Sequence, residues 1–153
     1  MAVRMELSRI LIRELTDLQI IELREAAESE AAGTNGDSAD EPAPPRTFPI
    51  VIGLPEAQAI ERRLKGVQIT RPQTHDLLAN LIREMGGTLE SITITDLAEH
   101  TFFATLDIRR DNGEELHVDC RPSDAIALGI AEDVPIFVEE HVLDAASNDQ
   151  ETE

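Results

Sequence analysis

Three short stretches of the chain hold the side chains that could do chemistry. Glu56 follows Pro55; Arg71, His75 and Asp76 lie within RPQTHD; and His117, Asp119, Arg121 and Asp124 lie within HVDCRPSD. Carboxylates brought together in space hold hard divalent cations. A histidine near its ordinary pKa moves protons at neutral pH, and an arginine beside a helix N-terminus can hold a phosphate. On that chemistry Asp119, Asp124, Asp76 and Glu56 are the candidate ligands for Mg²⁺ or Mn²⁺, His75 is the candidate general base, and Arg71 and Arg121 are the cations that would stabilise charge. Each residue also has a purely structural role open to it. Glu56 and Asp124 stand in first helical turns, where a carboxylate caps unpaired N–H groups. Asp119 can pair with Arg121, and His75 can be an exposed residue of a capped helix. No spacing among them is diagnostic. The helix starts at Pro55, Thr74 and Pro122 make one site only if the strands before them end at one edge.

The elements that must position these residues follow from period and punctuation. Leu116, Val118 and Cys120 alternate with His117, Asp119 and Arg121, the two-residue period of a strand, which predicts the polar three on one side. Pro122, with no N–H and a preset φ, starts a helix at once. From Ala125 to Ile130 that helix is small or aliphatic throughout, so it is expected to pack on several sides, before Asp133-Val134-Pro135 stops it and a strand runs to Val138. Phe48 to Gly53 is a near-continuous apolar run, which predicts a central strand buried on both faces. Pro55 opens a helix ended by Gly66, with Arg62, Arg63 and Lys65 on its exposed side. Together with Arg71 they are the densest positive segment, read as a phosphate-backbone footprint or as a solvated helix face. Thr74 is the expected N-cap of a second helix whose Leu77, Leu78, Leu81, Ile82 and Met85 form one apolar stripe up to Gly86-Gly87.

Leu89 to Asp96 and Phe102 to Arg109 read as strands, and Asp111-Asn112-Gly113 as a hairpin turn into residues 114–120. At the N-terminus, Val3 to Glu14 alternates and then changes phase at Ile10, which predicts a strand with a bulge. Thr16-Asp17 is a turn into a second strand over 18–24. Residues 26–46 form an acidic loop without apolar period, Glu140 to Ala146 a short last helix, and 147–153 a disordered acidic tail. Setting Pro55 on Pro122 places Val51 on Val118, Val67 on Val134 and Ile69 on Ile136. This weak repeat would follow from duplication of a β-β-β-α unit. The expected product is one α+β domain over residues 1–146, a mixed sheet covered by about four helices.

At 153 residues the chain suffices for one domain with a sizeable core. Its 31 acidic against 13 basic side chains, a net charge of −18, repel polyanions, so any nucleic-acid contact must be local, and the same charge suits a basic protein partner. Aromatics make up 3%, with neither Trp nor Tyr, which leaves little for base-stacking platforms. The lone cysteine, Cys120, falls on the apolar side of its strand and reads as a small buried hydrophobe. No apolar run reaches the ~20 residues of a membrane span, and the N-terminus carries charges where a signal peptide needs apolar residues, so a cytoplasmic location without membrane contact is expected. Apolar strands in both halves exceed what one sheet with four short helices covers, which predicts a homo-oligomer.

The segments FPIVIGLPEAQAI, RPQTHDLLANLI and VDCRPSDAIALGIAEDVPIFVEEHVL resemble, in order and spacing, the bifunctional nuclease domain family. The resemblance implies a compact, usually oligomeric α+β domain with DNA or RNA as substrate. The insertion at 26–46 departs from the short turn usual in that family, and the tail that some members carry is missing. Metal-assisted phosphodiester hydrolysis with low sequence selectivity needs carboxylates, a base and a cation near the leaving oxygen, and the residue types above supply all three. The alternative is a non-enzymatic oligomeric binding or regulatory module with an acidic surface.

Overall fold

Helix α3 (Pro122–Ala131) occupies the middle of the protein, as its composition requires. PSDAIALGIA has no polar stripe, and Ala125 to Gly129 are all buried. The computed structural model describes residues 2–12, 19–26, 44–68 and 70–151. Around α3 runs a seven-stranded sheet of β1 (Ala2–Leu11), β2 (Gln19–Glu25), β3 (Thr47–Ile52), β4 (Gly87–Ala98), β5 (Thr101–Arg110), β6 (Glu115–Cys120) and β7 (Ile136–Glu139). The strand order is β3-β2-β1-β7-β4-β5-β6. Only β4 and β7 pair in parallel, so the sheet is mixed and the fold α+β, as expected. Helices α1 (Leu54–Lys65), α2 (Thr74–Glu84) and α4 (Glu140–Glu151) complete the chain, α4 continuing past Ala146.

The predicted bulge in β1 lies between Leu7 and Arg9. Val3, Met5 and Leu7 face the core at a step of two, and the next core residue is Ile10, a step of three that the extra residue makes up. The sheet curls strongly. Phe48 of the edge strand β3 stacks on Phe102 of β5, next to the opposite edge, with ring centroids 5.6 Å apart. Ile21, Leu23, Ile92 and Ile94 are fully buried inside the curl, in one core with Ala57 and Ile60 of α1, Ala125 to Ala127 of α3 and Val142 and Leu143 of α4.

Several expectations need correction. Strand β3 is an edge, not a central strand: Phe48, Ile50 and Ile52 are buried while Pro49 and Val51 face outward. A continuous apolar run does not distinguish two buried faces from one, whereas Pro49, which has no N–H to give to a neighbour, already pointed to an edge. Thr74 is the first residue of α2; its N-cap is Gln73, whose backbone N–H donates to Asp76 Oδ2 at 3.0 Å in a capping box. The apolar stripe of α2 is largely solvent-facing. Only Ala79 is buried, and Leu77, Leu78, Leu81 and Met85 are exposed, because α2 leans on α3 and β4 along one narrow side.

The two halves share the order β-β-β-α, and both meanders run outward from β7. Beyond that the repeat is not established, since Ile136 opens β7, whereas Val67 lies in coil and Ile69 is outside the described residues. The predicted turn at Thr16-Asp17 and residues 27–43 of the acidic loop also lie outside them. Among the described residues no helix is long and apolar enough to cross a membrane.

Candidate active site at three helix starts

Strands β3 and β6 are the two opposite edges of the sheet, yet the helices that follow them, α1 and α3, pack directly on one another. The curl makes this possible. It sets the N-terminal turn of α1 beside that of α3, with the start of α2 on the other side. Arg121, which closes β6 and is the N-cap of α3, turns its guanidinium into the junction. Its Nε donates to Asp124 Oδ2 at 3.0 Å, and its Nη2 reaches the same oxygen at 2.9 Å and Glu56 Oε1 at 3.2 Å. The other Asp124 oxygen, Oδ1, lies 3.1 Å from His75 Nε2. Four candidate residues from three helix starts are thus one connected network.

Burial grades along it. Glu56 is 8% exposed, the His75 side chain 13% and the Arg121 side chain 67%. Both carboxylates are engaged by side chains, Asp124 by Arg121 and His75 and Glu56 by Arg121. Glu56 Oε2 folds back over Gly53, where a Cβ would run into it. Asp124 first, and Glu56 after it, raise the pKa of the Arg121 guanidinium. On the Asp124 side, a carboxylate that already accepts from Arg121 is acceptor-only, so the His75 proton belongs on Nε2 and Nδ1 is left as the ring's acceptor.

His75 also forms part of the wall of a cleft of about 660 Å³ between α1 and α2. Arg62 and Arg63 stand on the α1 side, Asp76 and Leu77 on the α2 side, and Ala127 and Ala131 of α3 between them. Arg62 is held to Gln73 across the cleft. Asp76 shares that wall, but its carboxylate is engaged in the capping box. Arg71 is exposed in the turn before α2, outside the network. Asp119 is exposed on β6 opposite Thr105 and does not pair with Arg121. Arg121, the N-cap of α3, has an extended backbone, φ −75° and ψ 146°, and its guanidinium bonds Asp124 and Glu56 rather than Asp119.

Glu56 and Asp124 converge on the same guanidinium, so a Mg²⁺ or Mn²⁺ ion using both would have to take the place that Arg121 fills. Among the described residues no group of three or more His, Cys, Asp or Glu side chains is arranged to hold a metal ion. The donors as placed do not form a ready cation site.

A second polar cluster escaped the sequence reading. On β5, Asp107 accepts hydrogen bonds from Ser91 (2.8 Å), Thr93 (2.6 Å) and Thr105 (3.0 Å), and lies 2.9 Å from His117 Nδ1. Burial by itself would raise the Asp107 pKa, but the bonds from Thr93, His117, Ser91 and Thr105 outweigh it and hold the carboxyl below its ordinary range. The alternation that puts Thr105, Asp107 and Arg109 on one face of β5 was the available signal; the pairing with β4 and β6 was not.

Residues 39–151 match the sequence profile of the bifunctional nuclease domain. An uncharacterised protein of Mycobacterium tuberculosis is 45% identical over 98 residues, 64% of this chain and 57% of that protein. Bifunctional nuclease 2 of Arabidopsis thaliana is 26% identical over 97 residues, 62% of this chain and 30% of that protein. Bifunctional nuclease 1 of Oryza sativa subsp. japonica is 24% identical over 97 residues, 62% of this chain and 29% of that protein. The match therefore spans a little over half the length of the mycobacterial relative and under a third of the plant ones.

Proposed function

The chain belongs to the bifunctional nuclease domain family, and from that premise we propose that it hydrolyses phosphodiester bonds of DNA, RNA or both, with low sequence selectivity, in the cleft between α1 and α2. The observation that carries the reading is the His75–Asp124 pair at the cleft wall. It has the logic of a base oriented by a carboxylate. Asp124 holds the ring by Nε2, and Nδ1 takes the proton of the attacking water. Arg121 and Glu56 hold Asp124 in place from behind. Arg62 and Arg63 bracket the phosphate and offset the charge that builds on its oxygens. Among the described residues the lining holds no Phe, Tyr or Trp on which a base could stack, which suits a site that holds the backbone rather than the bases.

Mg²⁺ or Mn²⁺ is carried forward only as a condition to vary, because Arg121 stands between the two carboxylates best placed to hold an ion. The test is cleavage of single- and double-stranded DNA and RNA by purified wild type, His75→Ala and Asp124→Asn, across a Mg²⁺ and Mn²⁺ titration and in chelator. Wild-type cleavage lost in both variants supports the assignment. Equal cleavage by all three means a contaminating nuclease and removes it.

The charge of −18 favours a second reading, a non-enzymatic module whose acidic surface meets a basic protein. Such a complex would weaken steeply as salt rises. Recovery of no partner at low salt would end it.

A further inference from the structure

Helix α2 is the least anchored of the helices around the cleft. Ala79 is its one buried side chain, where α1 buries Glu56, Ala57 and Ile60 and α3 nearly its whole length. Space lies on both flanks of the narrow side by which α2 leans on α3 and β4. The cleft of about 660 Å³ opens in front of it. Behind it is a second cavity of about 250 Å³, lined by Ala79, Ile82 and Arg83 of α2, Thr88 and Leu89 of β4, and Glu132, the C-cap of α3. An element with so few buried apolar contacts is among the first parts of a fold to open. We infer that α2 is a movable wall of the cleft, held shut at its first turn by two side-chain clasps and swinging about its C-terminal end, so that opening parts His75 from Asp124.

The two ends of α2 are held differently. Among the described residues, two side-chain bonds tie its start to the other helices: the N-cap Gln73 accepts from Arg62 of α1, and His75 Nε2 lies 3.1 Å from Asp124 Oδ1 of α3. The capping box between Gln73 and Asp76 is internal to α2 and moves with it. The far end is fixed through the chain itself. Arg83 donates to Glu132 at 2.7 Å, and the Gly86 carbonyl accepts from the Asp111 N–H at 2.9 Å. Gly87, the first residue of β4, is packed so closely that an added Cβ would stand 3.0 Å from Ile108. Between helix and strand Gly86 holds a φ of 84°, a conformation that glycine adopts without steric cost. The pivot is therefore Met85-Gly86, and displacement grows along α2 toward His75. The consequence rests on the reading of His75 as a base oriented by Asp124. That pair is assembled only while α2 is docked, and each opening widens the cleft and leaves the imidazole without its carboxylate.

Thiol labelling of the full chain reads the opening without substrate or cleavage, so the inference and the proposed activity can fail separately. Ala79→Cys places a thiol where the native side chain is 4% exposed, and Ala57→Cys on α1 and Ala125→Cys on α3 place one at 0%. With wild type as the background for Cys120, iodoacetamide should label Ala79→Cys at least about a hundredfold faster than either reference. Arg62→Ala and His75→Ala each remove one clasp. Each should raise the rate at position 79 by about tenfold, and the two together by about a hundredfold, because both bonds break in the same opening. Glu132→Gln, at the pivot end, should change it by less than about threefold, and the rates at positions 57 and 125 should respond to none of the three. Labelling at position 79 as slow as at the references overturns the inference, and so does labelling that ignores both clasps. It also fails if Arg62→Ala acts and His75→Ala does not, since α2 would then open with the pair intact, or if Glu132→Gln acts as strongly as Arg62→Ala, since α2 would then have no pivot.

Discussion

His75 Nε2 lies 3.1 Å from Asp124 Oδ1 although 49 residues separate them. One hydrogen bond sets the tautomer and the angle of the imidazole, and an amide in place of the carboxylate can no longer demand a proton on Nε2. Asp124→Asn should therefore leave the fold intact and lower kcat for phosphodiester cleavage by about 10²- to 10⁴-fold. A variant with wild-type kcat would show that the pair is structural.

Glu56 acts one step further back, through Arg121. Glu56→Gln leaves the guanidinium with one charged partner instead of two, and the expected loss is about 1–2 kcal/mol of stability, read as a lower urea midpoint. The loss of kcat should be smaller than for Asp124→Asn. Gly53→Ala should move both quantities the same way, because its Cβ must displace Glu56 Oε2. Unchanged stability in both variants would remove Glu56 from the network.

The Asp107 cluster predicts a pH dependence of definite sign. A carboxyl held below its unfolded pKa of about 3.9 contributes its full stabilisation above that value and loses it as pH falls through the folded pKa. Asp107→Asn should be destabilised at pH 7 by about 1–3 kcal/mol, since Ser91, Thr93 and Thr105 all donate to the carboxylate. The gap to wild type should narrow near pH 3. A gap of constant size at both pH values would contradict this account.

The β4–β5 hairpin turns on Glu99 and His100, both with positive φ, at 51° and 63°. Two-residue loops of this kind suit Asn-Gly, and side chains such as Glu and His are strained there. Glu99→Asn with His100→Gly should raise stability by about 1 kcal/mol and Tm by a few degrees. A fall in Tm would mean that these side chains make contacts that outweigh the strain.

Cys120 should be chemically quiet. Burial first, then the negative charges of Asp119, Asp124 and Asp107, push its thiol up to about 12. Alkylation by iodoacetamide at pH 8 should run at least about a hundredfold slower than for a free thiol and rise with pH to beyond 10. Rapid labelling of the folded protein at pH 8 would contradict the burial.

Legibility divides along the range of the forces involved. The Pro-started helices, the Gly66 stop, the turn before Gly113 and the uniformly apolar α3 were all readable, because backbone sterics and the apolar period act within a few residues. Glu56, His75, Arg121 and Asp124 were readable as candidates for the same reason, being charged side chains at helix starts. What they would touch was not. Asp124 and Glu56 looked like caps and Arg121 like a strand residue, and each was instead drawn to a partner from another element.

The sequence by itself determined where α1 and α3 begin and where α1 ends, which residues alternate along the strands and which charges stand at the helix starts, since each of these depends on neighbours along the chain. Only the tertiary structure decided that β3 is an edge, that Asp107 gathers hydroxyls from β4 and β5 and a histidine from β6, that the α2 stripe faces solvent, and that His75 meets Asp124. The physical reason is the curl of the sheet. It stacks Phe48 on Phe102 and carries the helices after two opposite edges into contact, a sum of many small strand twists and side-chain volumes that no local stretch of sequence encodes.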